Sequence, residues 1–123
     1  MKLLKQILEW IEQRQVDKTM LFEMSNLGEK TTGLPYVIFV NVNARSLRHG
    51  ARIKVCQGIR WKKGEDCNIQ IQGEWRVLNR PKWMRAQDEQ LIHAWVNINY
   101  DAIISYWNGE LDTADFLTML KRL

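Results

Sequence analysis

The hydrophobic residues of this chain change their period partway along it, and that change restricts the fold more than any other feature. Arg52-Ile53-Lys54-Val55 and Asn68-Ile69-Gln70-Ile71-Gln72 alternate strictly between apolar and polar. Such a period of two places Ile53 and Val55 on one face of a strand and Arg52 and Lys54 on the other. From about Asp88 the period becomes helical. Leu91, Ile92, Trp95, Val96, Ile98, Ala102, Ile103, Tyr106 and Trp107 form a broad apolar face, and Gln90, Asn97, Asp101 and Asn108 mark the polar stripe. Strands followed by helices, in one short chain, predict an α+β domain.

The remaining elements fit around this frame. Leu3, Leu4, Ile7, Leu8 and Ile11 recur at helical spacing, and a shorter helical stretch is read through Met20 to Met24 with Asp17 as its cap. Asn26-Leu27-Gly28, Thr31-Thr32-Gly33 and Pro35 then break the helix. Tyr36 to Val42 is rich in β-branched and aromatic residues and reads as a strand. Trp75-Arg76-Val77 continues the strands after Gly73, across a bulge or a hairpin turn. Asn108-Gly109 predicts a helix stop, and Asp112 a cap for a short last helix containing Phe116, Leu117 and Leu120. The expected fold is an N-terminal helix, an antiparallel sheet of three to four strands, a long C-terminal helix and a short capped helix. It divides into a helical extension (1–33), a basic β-meander (34–85) and a helical part (86–123) of one domain.

At 123 residues the chain suits one domain, and its 26% charged residues are near the globular average. No apolar run reaches the roughly 20 residues that span a bilayer. Lys2-Leu3-Leu4-Lys5 resembles the start of an export signal, but Gln6, Glu9, Glu12, Gln13 and Arg14 interrupt the apolar stretch such a signal requires. A cytoplasmic protein with no membrane contact is expected, its two cysteines, Cys56 and Cys67, reduced.

Charge is distributed unevenly. Residues 1–40 are neutral overall, residues 41–87 carry eleven Lys/Arg against three acids, and residues 88–123 carry two bases against six acids. A basic middle of this kind attracts phosphates whatever their sequence. Arg45, Arg48, Arg52, Lys54, Arg60, Lys62, Lys63, Arg80, Lys82 and Arg85 are its candidate binding residues, with Trp61 and Trp83 embedded among them. Bases stack on rings while cations meet the backbone, so this interleaving suits single-stranded nucleic acid. The same residues also suit a tryptophan-covered core edge solvated by charge.

Catalytic signatures are weak by comparison. The seven glycines form no phosphate loop, and neither His49 nor His93 stands at zinc-ligand spacing from the cysteines. His93 reads as a boundary or solvent-facing helix residue, and Glu65-Asp66 as an acidic loop between strands. No catalytic residue, metal or cofactor is assigned. A binding protein for nucleic acid or a nucleoprotein is the first reading. A protein–protein inhibitor or antitoxin-type partner is the alternative, since exposed Trp and Arg also anchor protein interfaces. The third is a toxin-like, metal-independent ribonuclease using Arg48, His49, Arg52 and Lys54.

Tyr106-Trp107-Asn108-Gly109-Glu110-Leu111-Asp112-Thr113, followed by Phe116-Leu117 and Leu120, and Ala51 to Val55 after a strand opening at Leu34-Pro35, together resemble a family of short bacterial proteins. That family, of unknown function, is found near mobile elements or toxin–antitoxin-like gene pairs. The likeness covers roughly residues 34–123. It implies a shared fold and a bacterial or phage setting, and it transfers no catalytic residue. The first 33 residues lie outside it and read as a lid on the sheet, or as a helix for dimerisation or partner docking.

Overall fold

The structure is a computed structural model and describes residues 24–41, 50–58 and 64–123. Strand β1 (Met24–Leu27) leads through a single turn of helix, α1 (Glu29–Thr32), into β2 (Val37–Asn41). Strands β3 (Arg52–Cys56), β4 (Cys67–Gln70) and the two-residue β5 (Arg76–Val77) follow, then α2 (Ala86–Trp107) and α3 (Thr113–Met119). The strands lie in sequence order and each pairs antiparallel with the next, so four strands of four or five residues form a meander that β5 extends. The α+β architecture is the expected one.

Register explains the core. Leu27, Ile38, Val55 and Cys67 face one another in a row across four strands, and Val40, Ile53, Ile69 and Val77 form the next row. All but Val77 are fully buried, and Val77 packs against their cluster. Helix α2 lies over this face with Ile92, Trp95, Val96, Ala102, Ile103, Tyr106 and Trp107 buried. Each such side chain contributes roughly 1.5–3 kcal/mol when removed from water. Phe116 of α3 closes the far end, its ring parallel to Tyr106 with centroids 4.2 Å apart.

The helix ends follow their sequence signals. The Arg85 N–H donates to Asp88 Oδ2 (2.9 Å) at the start of α2, where Asp88 and Glu89 also face the positive end of the helix dipole. At the other end Gly109 takes φ +76°, and the Gly109 and Glu110 N–H groups donate to the Tyr106 and Ser105 carbonyls. Asp112 caps α3 by accepting from the Asp115 N–H (2.7 Å).

Three details differ from expectation. Residues 1–23 lie outside the described residues, and Met24–Leu27, assigned to the helical extension, is a strand on β2. Leu91 and Ile98, read as part of the apolar helix face, are 39% and 43% exposed, while Asn99 is buried. The last helix ends at Met119, and Leu120, read as part of it, is extended. Among the described residues no helix is long and apolar enough to cross a membrane. Cys56 and Cys67 are free buried thiols; Val55 is the residue opposite Cys67, so the two sulfurs lie on opposite faces.

Candidate nucleic-acid interface

Strand alternation that sends Ile53 and Val55 into the core sends Arg52 and Lys54 to the face of the sheet away from α2. There they meet the outward residues of the neighbouring strands. Lys54 stands between Phe39 on β2 and Asn68 on β4. Arg52 stands opposite Gln70, which in turn stands opposite Arg76. The result is two adjoining rows, Phe39-Lys54-Asn68 and Arg52-Gln70-Arg76, built from a ring, two amides and three cations. A further pair on this face, Val37 and Cys56, is buried, so the accessible part of it lies toward Arg52 and Arg76.

The cations are weakly held. Lys54 Nζ is 3.9 Å from Asp66 and its side chain is 44% exposed. Arg76 is 3.6 Å from Glu74, both side chains largely in solvent. An open pair such as Arg76–Glu74 is worth from nothing to about 1 kcal/mol, so a phosphate can replace Glu74 at little cost. Asp66 is itself only 14% exposed, and the Lys54 pair is loose by its length. Arg52 differs: its Nε–H is buried and meets no acceptor among the described residues. A buried donor without a partner costs on the order of 1–3 kcal/mol.

Phe39 was not among the candidates read from the sequence. It stands outside the core cluster, partly exposed, between Ile38 and Val40, which are inside it. The run Tyr36 to Val42 is apolar almost throughout, so no alternation in it revealed which side chains face outward. Register with Lys54 supplies that information.

Arg80, Lys82, Trp83 and Arg85 belong to a different place, the connection from β5 to α2. Arg80 is bound to Glu89 of α2, whose other oxygen accepts from the Trp75 indole (3.3 Å). The Arg80 guanidinium, chiefly, holds the Glu89 carboxyl below the usual carboxylate range. Trp83 is partly buried against the core and stacks on Tyr36 with centroids 5.7 Å apart. Its indole N–H donates to the Glu65 carbonyl (2.5 Å). Among the described residues this tryptophan therefore covers a core edge, the plainer of the two roles considered. Lys82 and Arg85 are exposed. His93 is the boundary residue expected, its ring 4.0 Å from Trp75 and nearly parallel to it. Arg45, Arg48, His49, Arg60, Trp61, Lys62 and Lys63 lie outside the described residues.

Of the predicted site residues, the structure thus brings Arg52 and Lys54 together and adds Arg76 and Phe39 to them. It sets Arg80, Lys82 and Arg85 apart on the helix approach. Among the described residues no group of three or more His, Cys, Asp or Glu side chains is placed to hold a metal ion. Comparison with protein families, characterised proteins and solved structures found no match.

Proposed function

We propose that this chain is a non-enzymatic binding protein whose basic sheet face meets the phosphate backbone of nucleic acid, alone or in a nucleoprotein. The observation that carries the reading is the grouping of Arg52, Lys54 and Arg76 on one sheet face, beside amides and a ring that the core does not use. Three cations that among the described residues have only long pairs or none are suited to take phosphate oxygens as partners. The sequence as a whole is basic in the same region, residues 41–87 holding eleven of the eighteen Lys/Arg, and three of these eleven are Arg52, Lys54 and Arg76. Free thiols fit a cytoplasmic setting.

Fluorescence anisotropy with labelled DNA and RNA, titrated over a salt series, tests this. The expected result is binding that weakens linearly in log–log form with salt, as counterion release requires. Replacing Arg52 and Lys54 together by Ala removes two phosphate contacts and lowers the slope by about 1.4–1.8. Absence of binding at low salt would sink the reading and turn the search to protein partners.

A further inference from the structure

We infer that the sheet face takes a single strand, with Phe39 as the ring on which an unpaired base stacks. This rests on the nucleic-acid reading and narrows it. In a duplex the flat faces of the bases are hidden in the stack, and only their edges reach the grooves. A phenylalanine ring offers no hydrogen bond to an edge. It offers a face, which single strands can use because their bases splay outward.

The surroundings of Phe39 supply what such a base needs next. Lys54 is its direct neighbour across the ladder, roughly 5 Å away at the backbone. Arg52 lies two residues along the same strand, roughly 7 Å further. Asn68 and Gln70 occupy the next strand over, Asn68 offering its amide oxygen and Gln70 its oxygen and one N–H to a base edge. Asn68 turns its amide to Asp66 and Asn79, and Gln70 donates to the Glu74 carbonyl (2.9 Å). Both are partly exposed and keep capacity for further bonds. Sheets that bind in this way seat two or three bases on their rings and polar side chains.

Two further features of the face agree. The Arg52 Nε–H is without an acceptor among the described residues, and a small shift of its side chain toward a bound phosphate would satisfy it. The described tryptophans are not rivals for the stacking role on this face. Trp75, Trp83, Trp95 and Trp107 all belong to or pack against the core under α2. Phe39 is the aromatic side chain that the described sheet presents on its other side.

The test compares the full chain with its Phe39→Leu and Phe39→Tyr variants. Leu keeps the apolar bulk without the aromatic face, and Tyr keeps the ring. The probes are fluorescein-labelled oligouridylate and oligothymidylate of about a dozen nucleotides and a blunt duplex of the same length, at one salt concentration and over a salt series. Single strands are expected to bind at least about tenfold more tightly than the duplex. Phe39→Leu should weaken single-strand binding about fivefold to 150-fold, the range for losing one stacked base, with an unchanged salt slope. Phe39→Tyr should restore most of it. Equal affinity for duplex and single strand, or a Leu variant that binds like the parent, would overturn the inference while leaving nucleic-acid binding intact. Failure of every probe to bind the parent chain would remove both.

Discussion

Asn99 holds Lys121 by both ends of its backbone unit: its Nδ2 donates to the Lys121 carbonyl (2.9 Å), and its Oδ1 accepts from the Lys121 N–H (2.7 Å). The side chain is buried and also donates to the Trp95 carbonyl one turn back (3.0 Å). An amide in the middle of the apolar helix face thus acts like a strand edge, and the chain's last residues are laid against α2. Leu123 continues the attachment by donating its N–H to the Thr32 carbonyl (2.9 Å). Asn99→Ala frees the Lys121 backbone groups and opens a space beside Trp95. Lys121 is exposed, so its freed groups can turn to water, and at about 0.5–1.5 kcal/mol for each of the two lost bonds the variant should be destabilised by roughly 1–3 kcal/mol. Urea unfolding measures this, and hydrogen exchange should show protection lost first at Lys121 and Leu123.

Gly33 receives the end of that strap. Its φ is +79°, and a Cβ built on it would come within 2.7 Å of the Leu123 carbonyl oxygen. Gly33→Ala therefore combines a strained left-handed backbone with a collision against backbone, whereas Gly109→Ala (φ +76°) meets open space. The Gly109 change should cost about 1 kcal/mol from conformation alone. The Gly33 change should cost more and release the C-terminal residues. Thermal unfolding of the two variants side by side gives the difference. Equal losses would show that the Leu123 contact carries no weight.

Tyr36 donates to Asp88 and ties the entry of β2 to the first turn of α2. Burial, then the bond to the carboxylate, pushes the Tyr36 hydroxyl above its ordinary value of 10.0. The same bond, with the Arg85 N–H, holds the Asp88 carboxyl below its ordinary 3.8. The depressed carboxyl contributes stability that is present above pH 3.8 and is lost as pH falls below it. The raised tyrosine contributes stability that is complete below pH 10.0 and is lost as pH rises beyond it. Glu89, held below its ordinary 4.5, and the two thiols, raised above their ordinary 9.0, act in the same directions, so stability should be level between pH 4.5 and pH 9.0 and decline outside both. Tyr36→Phe should remove the part of the alkaline decline that lies above pH 10.0, leaving that of the thiols, and lower the plateau by about 1–2 kcal/mol. Asp88→Asn should reduce the acid decline to the part owed to Glu89. Unfolding free energies from about pH 3 to about pH 11 decide it.

Much of this fold is legible in the chain because one face of each element is dry and the other wet. Arg52 and Lys54 lie outside, Ile53 and Val55 inside, and the Asn108-Gly109 stop and Asp112 cap stand as written. Legibility fails where pairing rather than pattern decides. Met24-Ser25-Asn26-Leu27 holds no β-branched residue, and it is a strand because β2 offers it an edge. Phe39 is hidden in a continuous apolar run. Trp83 sits among basic neighbours in sequence, but its partners, Tyr36 and Glu65, come from distant segments. Asn99 reads as a polar interruption until Lys121 is brought to it. The basic surroundings of Trp61 fall outside the described residues, so the stacking role read for it rests on sequence alone.

The two thiols give a last test of the core. Cys67 lies under α2, wholly buried, with Sγ 3.5 Å from the Met84 sulfur, and burial pushes its thiol up to about 11. Cys56 is buried on the opposite face, and burial together with nearby Asp66 raises its thiol as well. Thiolate is the reactive form, so at about pH 8 both groups should resist a disulfide reagent in the native protein and react at once in denaturant. Their native rates report separate openings. Cys67 should react only through unfolding that lifts α2 from the sheet, and so at a rate that falls with added stability. Cys56 needs only the sheet's outer face to loosen, so it should react first. Mass spectrometry of partly labelled protein assigns the order. Label on Cys67 ahead of Cys56 would mean that the helix leaves the sheet more readily than the outer face opens, contrary to the burial of Trp95, Ile92 and Ile103 in the same core cluster as Cys67.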